Sequence, residues 1–506
     1  MSRTESSEGR LARETARVGV NVGILFAARI IGMAMALVQS GIVFRALSLE
    51  GQGEFGAALG FASAFTVPAT FGIQRLLVRD IARNRAIAWD YVWTGVVATG
   101  GLSAACLAAI WLLRMGSSLQ SAAFWAGLWV VFFWAVQQPF ESLLMAYERL
   151  GRIAAMNVVV GALKLLAVYL LLDFPDTATG GVGDPVHTAT AARAHAVIAL
   201  AHGAGLLICI ALAIQTGGWQ RPHLRPRAAL AQIRASMPFA AAMLFSWVYF
   251  KSDIVLLEWF RGAREAGIYA PPQRLMEPLL MVASLWGTAV FPALCRLSHT
   301  DEAHYDHLKA TSLRLALLLA CPIGMGVAVL AHPIMLLLTG DEANAAESAR
   351  VLQLLTLVVP LFYFNGIGQE LLYAAGRNAY TVASLAAAAA VSLALNLVAI
   401  PRYGLLGLVA VAIAANFTVS ACYWYGMRRD LARARLAGLI LRSLFACAMM
   451  GAVAWWLAAW SLLLAVTGGA AVYFALHAVL GTLDADERAM FRHAVEALAQ
   501  RFQRRR

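Results

Sequence analysis

Residues 26–47 read FAARIIGMAMALVQSGIVFRAL, an apolar stretch long enough to cross a membrane that carries a cation, Arg29, well inside it. About 20 helical residues cross the ~30 Å hydrocarbon core of a bilayer. Runs of this kind recur along all 506 residues of the chain, which is 61% hydrophobic and 13% charged. The pattern excludes a soluble globular protein and predicts an all-α polytopic membrane protein.

The apolar runs predict about fourteen transmembrane helices. Their approximate limits are residues 19–45, 53–77, 89–113, 122–145, 154–172, 194–215, 236–259, 266–295, 311–338, 351–374, 380–400, 404–427, 437–459 and 461–480. We expect two six-helix lobes around a central cavity, followed by two extra helices. The predicted segments are a cytoplasmic N-terminus (1–18), an N-lobe (19–215), a lobe linker (216–235), a C-lobe (236–427), the extra spans (428–480) and an amphipathic tail (481–506).

The charge distribution predicts the orientation. About 29 of the 40 Lys and Arg residues lie in the two termini and alternate loops, against about 7 in the opposite loops. Cytoplasmic loops of membrane proteins carry an excess of cations, so we expect both termini in the cytoplasm. Topology also accounts for the net charge of +12, and nucleic acid is not expected as a partner.

A weak internal repeat supports the division into two lobes. GQGEFGAAL (51–59) opens span 2 and EAGIYAPPQRL (265–275) opens span 8, so that Gly53 and Gly267 occupy equivalent positions. Duplicated halves are typical of transporters that move one repeat against the other around a site near the bilayer midplane. The repeat therefore favours a transporter.

Longer stretches resemble the Wzx-like oligosaccharide flippases, of the superfamily that also holds multidrug extruders and lipid II flippases. The resemblance lies in LEGQGEFGAALGFASAFTVPATFGIQRLLVRDIARNR (49–85), SMPFAAAMLFSWVYFKSDIVLLEWFRGAREAGIYAPPQRLMEPLL (236–280), FPALCRLS (291–298) and IPRYGLLGLVAVAIAANF (400–417). It implies a multi-pass protein of the bacterial inner membrane. It also implies alternating-access transfer of a polyprenyl-diphosphate-linked oligosaccharide from the cytoplasmic to the periplasmic leaflet, for synthesis of O-antigen, capsule or exopolysaccharide.

Four cations lie inside predicted spans, namely Arg29, Lys164, Lys251 and Arg274. Charges within a bilayer are expensive and usually face a cavity. Cations bind phosphate oxygens through charge-assisted hydrogen bonds. Given the resemblance, we expect the four to bind the diphosphate. For Arg29 a salt bridge to a neighbouring helix or snorkelling from a shallower depth, and for Arg274 a structural bridge to Glu277, remain open alternatives.

Other polar residues in the spans are candidates for secondary roles. As counter-charges or coupling groups we consider Asp253, Glu277, Glu141 and Glu370, and as polar residues of a cavity Gln39, Ser40, Asn365 and Gln369. Lys251 and Asp253 are two residues apart, point to different sides of one helix, and should each find a partner elsewhere. For the amides, hydrogen bonding between helices is the main alternative.

Several other functions stay open. A cation-coupled multidrug extruder of the same superfamily is the first alternative, although such carriers generally depend on buried acids. A glycosyltransferase or ligase acting on polyprenyl-linked glycans is the second, but no catalytic motif is visible and an enzyme is not expected. We expect no cofactor and no metal, coupling to protons, sodium ions or the membrane potential, and a monomer. The bilayer, and polysaccharide polymerase or export proteins, are the remaining expected partners.

Overall fold

The computed structural model describes residues 7–113, 122–171, 185–221, 226–300, 302–431 and 436–480. Throughout these ranges the regular structure is helical, which confirms the all-α class. The α-helices are α1 (Ser7–Ala46), α2 (Leu49–Thr70), α3 (Ile73–Arg83), α4 (Ala88–Leu113), α5 (Ala122–Ala146), α6 (Leu150–Leu171), α7 (Pro185–Gly217), α8 (Pro226–Arg261), α9 (Ala263–Thr300), α10 (Glu302–Val329), α11 (Ala331–Thr339), α12 (Glu342–Leu355), α13 (Val358–Ala374), α14 (Asn378–Leu431), α15 (Leu436–Ala458) and α16 (Leu462–Val479). The tail predicted to be amphipathic (481–506) lies outside the described residues.

Every predicted span overlaps one helix or two consecutive helices. Eight of the described helices are long and apolar enough to cross a membrane, or ten if each of two bent pairs counts as one span. The bent pairs are α2 with α3 and α12 with α13, at angles of 40° and 42°. The first bend follows from Phe71 and Gly72, whose φ angles of 48° and 68° cannot continue a right-handed helix.

Helix α14 contains two of the predicted spans. Its apolar part, Asn378–Arg428, has 51 residues, about 77 Å at 1.5 Å per residue and more than twice the hydrocarbon thickness. The helix is broken at Gly404, whose φ of 55° and ψ of −132° suit glycine alone. Glu265 of α9 accepts a hydrogen bond from the Leu405 N–H at 3.1 Å and so satisfies a donor that the break exposes.

The described chain falls into two compact units. Unit 1 comprises Met1–Arg274 with Leu338–Asn344 and Leu393–Leu408, and unit 2 comprises the remainder. A core cluster of unit 1 packs α3, α4 and α5 together, whereas in unit 2 the last two helices pack on α10, where the Tyr473 hydroxyl donates to the Leu318 carbonyl at 2.8 Å. The lobes, which are blocks of consecutive spans, stay a prediction.

The two glycines of the internal repeat meet in unit 1. A Cβ atom on Gly53 would lie 1.8 Å from the Ala263 carbonyl oxygen, and one on Gly267 would lie 1.9 Å from the Leu49 carbonyl oxygen. Both distances are far below van der Waals contact, so only glycine permits this crossing of α2 and α9. The equivalent positions of the two repeats therefore form one reciprocal contact.

The turn between α11 and α12 also belongs to unit 1. The Asn344 side-chain amide donates to the Gln52 carbonyl oxygen at 2.9 Å, and Gln52 in turn donates to the Phe44 carbonyl at 2.8 Å. Gln52 is 2% exposed and Asn344 5% exposed. Buried polar groups with matched partners of this kind fix the register of the turns. The α11–α12 turn is thereby held on the end of α1 and the start of α2.

A cationic candidate substrate site

Arg274 on α9 is held against α1 by Ser40. The Ser40 hydroxyl donates to the Ala36 carbonyl at 2.8 Å, and its oxygen accepts a hydrogen bond from Arg274 Nε at 2.9 Å. Ser40 is buried, at 6% exposure. Because Ser40 and Arg274 are 234 residues apart, this bond joins the first predicted span to the eighth.

Lys164 on α6 contacts His202 on α7. The Lys164 Nζ and His202 Nε2 atoms are 3.0 Å apart, and His202 Nδ1 lies 2.9 Å from the Ile198 carbonyl oxygen. A carbonyl can only accept, so Nδ1 carries the imidazole proton and Nε2 offers its lone pair to the Lys164 ammonium. The geometry therefore assigns a neutral His202 beside a charged Lys164.

The cations Lys164 and Arg274 interact electrostatically. Arg274 is close enough to Lys164 for their charges to repel. Lys164 has no carboxylate partner within the described ranges, and the hydrogen-bond partner it does have is a neutral imidazole. α6 lies against α1 here, since a Cβ atom on Gly161 would be 2.8 Å from the Met35 methyl carbon. We name Ser40, Lys164, His202 and Arg274 the cation cluster.

Arg29 lies N-terminal to Ser40 on the same face of α1. Eleven residues separate it from Ser40, which corresponds to about 16 Å along the axis and about 20° around it. Its side chain is exposed and makes no ion pair with the part of the chain that the structure describes. Ile31 and Val38, which helical periodicity places on the opposite side of α1 from Arg29, lie at the surface with 47% and 54% exposure.

Asp253 on α8 finds its partners on α9. Its carboxylate accepts hydrogen bonds from the Tyr269 hydroxyl and, at 3.1 Å, from the Gln273 amide. Lys251 lies within electrostatic range of Asp253. The expectation that Asp253 needs a partner outside its own helix is confirmed, and the arrangement ties α8 to the helix that carries Arg274.

Asn365 joins two helices of unit 2. Its amide donates to the Asn416 carbonyl at 3.2 Å, and its oxygen accepts a hydrogen bond from the Ser420 hydroxyl at 2.7 Å. Asn416 donates back to the Ala412 carbonyl at 3.0 Å. The two hydrogen bonds of Asn365 connect α13 with α14, as expected of an amide that holds helices together. We name Asn365, Asn416 and Ser420 the amide cluster.

The remaining candidate residues lie outside the cation cluster and the amide cluster. The stem of Glu370 packs on α9 of unit 2, 2.9 Å from where a Cβ atom on Gly287 would lie, and Gln369 donates to the Tyr373 hydroxyl at 3.3 Å. Partly buried positions are occupied by Gln39 on α1, Glu141 on α5 and Glu277 on α9. No group of three His, Cys, Asp or Glu side chains able to hold a metal ion occurs among the described residues.

Sequence reasoning did not single out His202. The signal available in the sequence was a titratable side chain, His202, inside the apolar run of residues 194–215. It is a weak signal, because a lone histidine in a span is often a neutral packing residue. Tyr269 and Gln273 were also missed as the partners of Asp253, since no local pattern relates α8 to α9.

The long apolar helices are those of a multi-pass membrane protein, and the family match gives its class. A family model described as polysaccharide biosynthesis protein matches residues 18–298, more than half of the chain. The chain belongs to this family, that of the Wzx-like polysaccharide flippases, whose members are transporters and not catalytic enzymes. A second model, described as lipid II flippase MurJ, matches residues 266–473.

Solved structures share the fold at low sequence identity. The lipid II flippase MurJ in an inward closed conformation has a TM-score of 0.69 at 12% identity, with 91% of this chain and 98% of that chain covered. An inward-facing multidrug resistance MATE family transporter of the MOP superfamily has a TM-score of 0.55 at 14% identity, with 82% and 98% covered. An outward-facing transporter of the same description has a TM-score of 0.53 at 14% identity, with 81% and 96% covered. No protein of curated function matches this sequence.

Proposed function

We propose that the protein is a flippase for a polyprenyl-diphosphate-linked oligosaccharide, which it carries from the cytoplasmic to the periplasmic leaflet of the bacterial inner membrane for surface polysaccharide synthesis. The observation that carries this proposal is the cation cluster. There Lys164 and Arg274, from different parts of the chain, lie within electrostatic range of each other, and Lys164 has no carboxylate partner among the described residues. A cation inside a bilayer is costly, so Lys164 would be stabilised by an anion that binds there.

A diphosphate has the chemistry that this cluster lacks. The Arg274 guanidinium presents a planar set of donors that matches phosphate oxygens, and Lys164 adds a mobile point charge with three donors. The bond from Arg274 Nε to Ser40 fixes the orientation of the guanidinium. A compact dianion at this position would satisfy both cations at once.

In this proposal Arg29 is a first binding position for the headgroup, before the cation cluster. With both termini in the cytoplasm, as we propose, Arg29 lies on the cytoplasmic side of Ser40 by about 16 Å. A headgroup captured at Arg29 could then move along one face of α1 to the cation cluster. The polyprenyl chain would remain in lipid during this movement, and the tight crossing of Gly53 and Gly267 would close the outer side.

The main rival is a multidrug extruder, because two solved multidrug transporters share the fold. Such a carrier of cationic drugs needs acidic groups where the substrate binds. Here α1 carries Arg29 inside its span, and Lys164 contacts a histidine instead of an acid. The charge of the site therefore favours an anionic substrate. We further propose a monomer that works with polysaccharide polymerase and export proteins, driven by protons, sodium ions or the membrane potential.

Proteoliposomes provide the direct test. The purified full chain is reconstituted with a fluorescent polyprenyl-diphosphate oligosaccharide, and transfer between leaflets is followed with a reagent that cannot cross the membrane. We expect transfer above that of protein-free vesicles and no accumulation of a cationic dye such as ethidium. Dye transport without lipid transfer would overturn the proposal in favour of an extruder.

A further inference from the structure

His202 occupies an unusual position for a titratable group. Its Nδ1–H is committed to the Ile198 carbonyl, so Nε2 is the one ring atom left to gain a proton. In the described structure, Nε2 accepts a hydrogen bond from the Lys164 ammonium at 3.0 Å. A proton on Nε2 would remove that acceptor and set two positive groups against each other. His202 and Lys164 are therefore difficult to charge together while the site is empty.

The ionisable groups on the helices around His202 bear on its protonation. α7 packs against α2, α5 and α6. Apart from Lys164, the described ionisable groups on these helices and on α7 itself are Glu50, Glu54, Glu141, Arg152, Tyr169, Arg193, His195 and Cys209. Of all of them, Lys164 is the one in hydrogen-bonding contact with His202. Arg274, from α9, adds a second positive charge near Lys164.

A bound anion would favour protonation of His202. A diphosphate bound between Lys164 and Arg274 would turn the three donors of Lys164 toward phosphate oxygens and away from His202. The freed Nε2 lone pair could then take a proton from water and form a new N–H bond. The resulting imidazolium would face two negative charges on the diphosphate diester, in addition to the two cations. Burial and the Lys164 charge oppose protonation of His202 in the free protein, and the two negative charges of the diphosphate would favour it.

We propose that His202 is a proton-binding site linked to the substrate, which takes up one proton when a diphosphate headgroup binds at Lys164 and Arg274. The inference rests on the proposed function, and it makes the proton a companion of the headgroup. Linkage is reciprocal, so protonation of His202 must strengthen anion binding by the same factor by which the anion favours protonation. A headgroup released on the other side of the membrane would release the proton with it.

The test is the pH dependence of binding. A short-chain polyprenyl-diphosphate disaccharide, whose diphosphate diester does not titrate near neutral pH, is bound to the full chain in detergent between about pH 5.5 and 7. Because the complex holds one more proton than the free protein, affinity should fall as pH rises, by up to about tenfold per pH unit. His202→Gln keeps an oxygen that can accept from Lys164 but cannot be protonated, and its affinity should not vary with pH.

Controls separate this inference from the proposed function. His307→Gln, which removes an exposed histidine of α10, should keep the wild-type slope. Calorimetry of the wild-type protein in two buffers of different ionisation enthalpy counts the protons directly, even if His202→Gln does not fold. Absence of probe binding by the wild type would overturn the proposed function. Binding without pH dependence, or with the same slope in His202→Gln, would overturn the proton site and leave the flippase proposal standing.

Discussion

The cation cluster of unit 1 and the amide cluster of unit 2 are both polar groups set into apolar helices, yet they differ in how they are satisfied. In the amide cluster, Asn365 both donates and accepts across α13 and α14, and Asn416 and Ser420 return hydrogen bonds to the backbone of their own helix. The groups are neutral and complete one another. In the cation cluster, Lys164 is bound by an imidazole and repelled by Arg274.

The contrast indicates which polar residues hold the bundle together and which ones serve the substrate. Hydrogen bonds between neutral side chains stabilise helix packing without requiring a ligand. The repulsion between Lys164 and Arg274 raises the free energy of the folded protein, and a bound anion would lower it. Removing one member should therefore have opposite consequences in the two clusters.

The largest effect is expected for Arg274→Ala. Hydrogen bonds to charged groups contribute about 1.5–3 kcal/mol, so the loss of the guanidinium should reduce flipping by about tenfold to 150-fold. The measurement is the rate of lipid-linked oligosaccharide transfer in proteoliposomes at equal protein content. Arg79→Ala is the matched control, because Arg79 is half-exposed and pairs with Asp80 at the surface. Equal rates in both variants would show that Arg274 does not bind the substrate.

Lys164→Gln should weaken the substrate interaction while leaving the fold intact. The amide can still donate to His202, and the repulsion from Arg274 disappears. We expect roughly tenfold weaker binding of the diphosphate probe, and an unchanged or higher melting temperature. Binding and thermal unfolding of the detergent-solubilised protein would be measured on the same sample. A lower melting temperature with wild-type affinity would place Lys164 with the structural groups, beside Asn365.

Asn365→Val should behave in the opposite way. Interhelical hydrogen bonds in membranes average about 0.6 kcal/mol each, so the loss of two should destabilise the protein by about 1 kcal/mol. Transport per folded molecule should not change. Thr467→Val is the control, since the Thr467 hydroxyl is exposed and bonds within its own helix. If Asn365→Val lost transport at full stability, the amide cluster would have to be regarded as part of the substrate path.

The sequence was sufficient to predict the helices and part of the site. Span lengths follow from bilayer thickness, so the apolar runs locate the helices to within a few residues, including the break near Gly404 between the eleventh and twelfth spans. At 100° per residue Ser40 lies about 20° from Arg29 around the helix, so periodicity alone puts the two on one face of α1. The contact of Ser40 with Arg274, 234 residues away, could not be derived, because it depends on how α1 and α9 pack. Spacing likewise related Gly53 to Gly267 but could not show that they touch.

Ser40→Ala should have the smallest effect, and it measures how much the orientation of Arg274 contributes to substrate binding. The Ser40 oxygen orients Arg274 and need not touch the substrate, so its removal should reduce probe affinity by about twofold to tenfold, as expected for a single hydrogen bond of about 0.5–1.5 kcal/mol. In the Arg274→Ala background the same change should add nothing, since the two residues act through one bond. Ser103→Ala is the control, because the Ser103 hydroxyl is buried and bonds only to the Thr99 carbonyl of α4. Additive losses in the double variant would mean that Ser40 contributes to the site independently of Arg274.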